Sequence, residues 1–324
     1  MSRRALSSLL AAATLAAAGL AAVPQAFAQD FPARMVTIVV PFAPGGVSDI
    51  LARVLAEKLQ VVWKQTVIVD NRPGAGGGLG ATQVARSAAD GYTLLLADAS
   101  VVTTNPSLYA NAPKDFAPVI ALARFGQILV APVTQALQSV GELLAMDKAA
   151  SAKLNVASSG NGTSNHLVLE KFKTASGTRM AHVPYKGAGA AISDVAGAQV
   201  DLMFTSAPLA TPLIASGKIK ALAVTTPQRM AGYEKVPTLA ESGLAGFEWY
   251  SAQGLFAPPG TPAAVVAKIN TDVAAVIRQS DVRDRFAKLG IESIDNTPQQ
   301  FGAWITSETT TIKSLIQAAN IKPD

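Results

Sequence analysis

The chain has 324 residues, 49% hydrophobic and only 6% aromatic, with 27 basic and 22 acidic side chains, a net charge of +5 and no cysteine. The missing cysteine excludes a disulfide framework and a lipid-bearing terminal cysteine. No Lys/Arg cluster is interleaved with aromatics, so nucleic acid is excluded as a partner.

The first residues set the compartment. Arg3 and Arg4 precede an apolar run from Ala5 to Val23, and Ala26 and Ala28 make a small-x-small cleavage pattern. A removable secretory leader over residues 1–28 is expected, with Gln29 as the mature N-terminus and the bacterial periplasm as the destination. Removal takes two arginines and no acid, leaving 25 basic against 22 acidic side chains and a net charge of +3.

The mature chain alternates strand and helix. Met35 to Val40 is nearly unbroken in β-branched and apolar residues, as a strand buried on both faces should be. Pro41-Phe42-Ala43-Pro44-Gly45-Gly46-Val47-Ser48-Asp49 follows, and Ile50, Leu51, Val54, Leu55 and Leu59 then fall on one helical face. The loop therefore joins a core strand to a helix start. Its glycines allow close backbone approach, Ser48 or Asp49 is expected to cap the helix, and the first-turn amides form an anion site without Lys or Arg. Thr66 to Val69 is expected as a second strand and Tyr92 to Ala97 as a third, ending at Asp98-Ala99-Ser100. Asn105-Pro106 should open a helix, and Gln127 to Val130 is a further strand.

The second half repeats the grammar. Strands at Leu154–Ala157, Ala181–Val183 and Asp201–Phe204 empty into Ser158 to His166, Pro184 to Gly189, and Thr205 to Pro208. Ile219 to Val224 closes that sheet, and from Leu255 onward the chain is expected to be helical, with Pro262 in a first turn. The fold class is α/β, with helices on both faces of two parallel sheets and a crevice at the strand ends. Residues 29–128 with 254–324 are expected to form one domain and 129–253 the other, joined by crossings near Ala131 and Gly254.

Catalytic and cofactor motifs are weak. Gly76-x-Gly78-x-x-Ala81 fits a loose dinucleotide fingerprint, but Asp70 to Pro73 separate it from its strand, so no cofactor is expected. His166 and His182 are the only histidines; with no Cys and no His-x-x-x-His pair, a metal site has no support. Ser159 with His166 suggests a secreted hydrolase, but no acid is placed to orient the imidazole. An imidazole held by a structural hydrogen bond near the helix start is the simpler reading, and the chain is not expected to be an enzyme. Ser159 to Ser164 is better explained as a second anion nest.

Several segments together are similar to one family. They are Val39 to Gly46, Asp70 to Gly77, Asp90 to Leu95, Val183 to Gly187, Val236 to Gly243 and Gly254 to Pro262. In this order they resemble the Bug-type receptors of tripartite tricarboxylate transporters. The resemblance implies a type II periplasmic-binding-protein fold closing on a small organic carboxylate, a membrane permease as partner, and a receptor acting as a monomer. It places the carboxylate in the loop from Phe42 to Ser48, facing the Ser159–Ser164 turn and Thr205. The residues expected around the ligand are Phe42, Ala43, Gly45, Gly46, Ser48, Asp49, Ser100, Ser159, Asn161, Gly162, Thr163, Ser164, His166, Tyr185 and Thr205. The family often carries Trp where this chain has Ala252 and Gln253, the nearest aromatics being Trp249 and Tyr250. Receptors for uncharged aromatic or nicotinamide-like solutes, and the Ser159/His166 hydrolase, are the alternatives.

Overall fold

The computed structural model describes residues 31–149 and 154–323. The leader and its cleavage site lie outside them. Among the described residues no helix is long and apolar enough to cross a membrane.

Strand β1 (Val36–Val40) leads into helix α1 (Val47–Trp63), then β2 (Val67–Asn71), a short 3-10 turn at Ala75–Gly77, α2 (Gly78–Ala85) and β3 (Thr93–Asp98). Two four-residue helices, α3 (Ser100–Thr103) and α4 (Asn105–Leu108), precede the long β4 (Ala117–Gly126). Then come β5 (Ile128–Pro132), α5 (Val140–Lys148), β6 (Asn155–Ser158), α6 (Ser164–Ser176), β7 (Ala181–Pro184), α7 (Ala188–Ala196), β8 (Leu202–Thr205), α8 (Ala207–Ala215) and β9 (Ile219–Val224). Strand β10 (Tyr250–Ala257), α9 (Ala263–Ile277), α10 (Ser280–Lys288), β11 (Glu292–Ser293) and α11 (Pro298–Ala318) complete the chain.

These strands form two mixed sheets, ordered β11-β4-β10-β3-β1-β2 and β7-β6-β8-β5-β9. The expected all-parallel sheets are corrected. β1 is parallel to β2 and β3, but β10 runs antiparallel to both β3 and β4, and β5 runs antiparallel to β8 and β9. The helical expectation from Leu255 onward is corrected too, since Leu255, Phe256 and Ala257 finish β10. A short apolar run carries no period that separates strand from helix, and here pairing partners on both sides decide the matter.

Period-two alternation divides the second sheet's side chains between two cores. Leu129, Val156 and Phe204 pack with Phe172 on one face. Ile128, Val130, Ala157 and Met203 pack with Ile192 and Val195 on the other. In the first sheet Val39, Leu95, Ala97 and Phe256 pack under Phe301 of α11. Each large side chain buried this way contributes about 1.5–3 kcal/mol.

The chain passes between sheets at Gln127 and returns between Val224 and Tyr250, so Ala131 and Gly254 themselves lie inside strands. Hydrogen bonds clip the two passages together. The Gln127 amide donates to Thr225 Oγ1 at 2.8 Å, and the Thr225 amide donates to the Gln127 carbonyl. Thr225 Oγ1 in turn donates to the Trp249 carbonyl, whose own amide donates to the Thr225 carbonyl.

Candidate functional site

The carboxyl ends of β1, β3, β6 and β8 face one cleft of about 670 Å³, measured out to its open mouth. Its first wall is the β1–α1 loop. Pro41 and Pro44 fix the chain direction, and Gly45 supplies the turn at φ +90°. Helix α1 starts at Gly46 with no side-chain cap, which corrects the expectation that Ser48 or Asp49 caps it. Asp49 instead accepts from the Gly45 amide at 3.0 Å, from Arg53 Nε at 3.0 Å and from Asn71 Nδ2 at 3.0 Å. Burial works against its charge, but these donors more than offset that and hold its pKa below the ordinary carboxylate value. The loop is thus braced from behind. Phe42, Ala43, Gly46, Val47 and Ser48 line the cleft, while Gly45 and Asp49 stand behind it.

Three further helix starts face this wall from the second sheet. Helix α6 begins after Thr163, α7 after Gly187 and α8 after Ser206, none of them with a side-chain cap hydrogen bond. Thr163, Ser164 and Asn165 line the cleft at the first of these starts, Ala188 and Gly189 at the second, and Ser206 at the third. First-turn amides have no acceptor inside their own helix and carry partial positive charge. Four such helix starts converge here, and no Lys or Arg lines the cleft among the described residues.

The floor is polar and internally ordered. The Ser48 hydroxyl donates to Gln253 Oε1 at 2.6 Å, and Gln253 Nε2 donates to Asp98 Oδ2 at 3.2 Å. Asp98 Oδ1 accepts from the Ser100 amide at 2.9 Å. Burial pushes the Asp98 carboxyl up to about 6. Beside it, Gln127 Nε2 donates to Ser251 Oγ at 2.7 Å and to Ser164 Oγ at 3.1 Å, while Asn165 Nδ2 donates to Gln127 Oε1 and to the Phe204 carbonyl. Trp249 Nε1 donates to Ser164 Oγ, so the indole braces the cleft without lining it. The buried Thr205 hydroxyl at the cleft wall has no hydrogen-bond partner.

Of the residues expected around a ligand, Ser159, Thr163, Ser164 and Thr205 also reach the cleft. Ser159 donates to Asn165 Oδ1 at 2.6 Å. Ser100 is buried and not among the lining residues, its side chain set beside the Asp98 carboxyl. Asn161 and Gly162 are not among the lining residues, and a Cβ on Gly162 would meet Leu108 of α4 at 2.7 Å. Tyr185 points away, its hydroxyl donating to Asp194 at 2.7 Å.

His166 also lies off the cleft. Its Nδ1 accepts from the Gly162 amide at 3.1 Å, and its ring stacks on His182 at 3.7 Å. The serine contacted by a histidine is Ser158, 2.6 Å from His182 Nε2, so Ser159 and His166 are not partners. The glycine run after β2 has a packing cause: a Cβ on Gly77 would meet Val101 at 2.7 Å and one on Gly80 would meet Pro41 at 2.9 Å.

Asp98, Gln127, Asn165, Ser206, Ser251 and Gln253 also line the cleft, and the sequence does not single them out for it. Ser251 and Gln253 had a usable signal, two polar residues at period two inside an apolar strand.

Two mixed α/β sheets joined by paired crossings, with a cleft at their strand ends, define a type II periplasmic-binding-protein fold. A profile described as "Tripartite tricarboxylate transporter family receptor" matches residues 51–321. The chain belongs to that family of periplasmic solute-binding receptors. It is 33% identical over 316 residues to Protein BugT of Bordetella pertussis, covering 95% of each chain. Among solved structures it is similar to R. palustris Rpa4515 with adipate, at 34% identity and TM-score 0.86 over 91% of this chain and 100% of that one. It is also similar to MatC from Rhodopseudomonas palustris with bound malate, at 32% identity and TM-score 0.80, over 88% and 100% of the two chains.

Proposed function

We propose that this chain captures a small organic carboxylate outside the cytoplasm, di-acids foremost, and delivers it to the membrane permease of a tripartite transporter. The carrying observation is the convergence of four helix starts without side-chain caps on a cleft that no Lys or Arg lines among the described residues. Such a site favours a diffuse anion over an uncharged solute and leaves exchange fast, because no desolvated ion pair must be broken. Val47, Ser48, Ser164, Asn165 and the α7 and α8 starts supply amides, and Thr205 supplies a hydroxyl. The adipate and malate of the two relatives support the di-acid class.

The two sheets act as lobes that close by rotation at Gln127 and Trp249. Close approach of Gly76 to the Gly160–Asn161 turn supports this reading, since a Cβ on Gly76 would meet the Asn161 carbonyl at 2.7 Å. Mass spectrometry of ligand released from natively purified protein, followed by calorimetry with di-acids and their diamides, tests the proposal. Micromolar binding of a di-acid with no binding of its diamide is expected. Equal binding of both would overturn the anion reading in favour of an uncharged solute.

A further inference from the structure

Strand β10 has a second face. Ser251 and Gln253 point to the cleft, whereas Tyr250 and Ala252 line a separate pocket behind it, about 1160 Å³ out to its mouth. Aromatic walls come from Trp249, Tyr250, Phe301 and Trp304, the last still 37% exposed. Phe301 and Trp304 stack at 6.0 Å with an 18° interplanar angle. Trp304 and Glu308 stand four residues apart on α11 and so share a helix face. Lys171 of α6 faces them from the second sheet's side.

The charges in this pocket are unevenly satisfied. Arg124 is committed, holding Glu292 through two bonds of 2.9 and 3.0 Å while lying over the Tyr250 ring. Lys171 Nζ donates to the Glu248 carbonyl at 2.6 Å and stands 5.4 and 5.8 Å from the Phe247 and Trp249 ring centroids, with two protons not used in hydrogen bonds. Among the described residues the Glu308 carboxyl accepts no hydrogen bond and forms no salt bridge. Burial raises the Glu308 pKa and lowers that of Lys171, and the attraction between the two groups only partly offsets this.

We propose that this rear pocket is a second ligand site, taking an aromatic zwitterion of the α-amino-acid class. The ring lies against Trp304 and Trp249, the ammonium donates to Glu308, and the carboxylate accepts from Lys171. A simple aromatic acid or amine would satisfy one charge and leave the other desolvated, which is costly. The aromatic faces add stacking and cation–π attraction.

The test is calorimetry and tryptophan fluorescence on the full mature protein with L-phenylalanine, phenylalanine amide and N-acetylphenylalanine. Phenylalanine should bind in the submillimolar range and perturb tryptophan emission, with both blocked analogues at least tenfold weaker. Glu308→Gln should erase the preference over N-acetylphenylalanine, Lys171→Met the preference over the amide, and Trp304→Ala the emission change. Thr205→Val, in the front cleft, should leave all three responses as they are. No binding at millimolar phenylalanine, binding unaffected by Glu308→Gln, or binding lost in Thr205→Val would each overturn the second site. Front-cleft function is read separately from the di-acid titration, so the two can fail independently.

Discussion

Replacing Asp98 by Asn should remove a pH-dependent liability from the fold. Asp98 ends β3 at the cleft floor, where no cation neighbours it among the lining residues. Burial raises its pKa from 3.8 to about 6. As pH rises through that interval, the unfolded chain ionises this carboxyl while the native chain still holds its proton. Native stability therefore falls between about pH 3.8 and 6 and levels off above. A shift of roughly two units corresponds to about 3 kcal/mol. That is an upper bound, because the side chain is partly open to cleft water. Asn fits the same place. If the Gln253 amide turns over, its oxygen accepts from the new Nδ2–H and its nitrogen donates to the Ser48 hydroxyl. Urea unfolding of ligand-free wild type and Asp98→Asn from pH 4 to 8 gives the stability difference. Wild type should lose about 1–3 kcal/mol relative to the variant between pH 4 and 6, then run parallel. A difference independent of pH would show an ordinary carboxylate and refute the reasoning.

Gln127→Leu should leave Ser164, Ser251 and Asn165 without their shared partner. About 2 kcal/mol of lost stability is expected, seen as a drop of several degrees in Tm; an unchanged Tm would show the network is dispensable. Gly76→Ala should hold the Gly160–Asn161 turn off, weakening di-acid binding by at least tenfold and enlarging the radius of gyration in small-angle scattering with ligand present, whereas unchanged affinity would refute lobe closure at this contact. His182 is kept neutral, its pKa lowered to about 3 by burial and by the stacked His166. Its contribution is intact above the unfolded value of 6.5 and is lost as pH falls toward 3. His182→Gln should therefore flatten part of the acid-side stability loss, and a wild-type-minus-variant difference constant between pH 7 and 4 would exclude this. Gly46→Ala meets nothing closer than the Ala43 carbonyl at 4.0 Å, so circular dichroism and Tm should match wild type; a large Tm drop would place the loop differently.

The sequence determined by itself what is local. Unbroken β-branched runs marked β1 and the strands that empty into Ser, Thr and Gly, because a doubly buried strand admits little else. The proline–glycine loop before α1 and the Ser159–Ser164 turn showed their place at helix starts, since such backbone shapes need those residues. Segments from Val39 to Pro262 carried the family. Direction and pairing of strands were not legible. β4 and β10 become antiparallel neighbours only when the chain returns from the second sheet, and an apolar stretch such as Leu255–Ala257 does not encode that partner.

The site divided along the same line. Backbone nests were readable from composition, but side chains on the cleft floor were not. Asp98 and Gln253 lie 155 positions apart in sequence and meet through β3 and β10, and Gln127 reaches Ser251 across 124. Asp49 shows the converse: beside the nest in sequence it suggests a ligand contact, yet Asn71 and Arg53 turn it into a brace. Helix starts are properties of a few consecutive residues, so the sequence determines them. Their convergence on one cleft, and the polar chain that closes its floor, exist only once two sheets have packed, because long-range contacts alone decide which side chains share a surface.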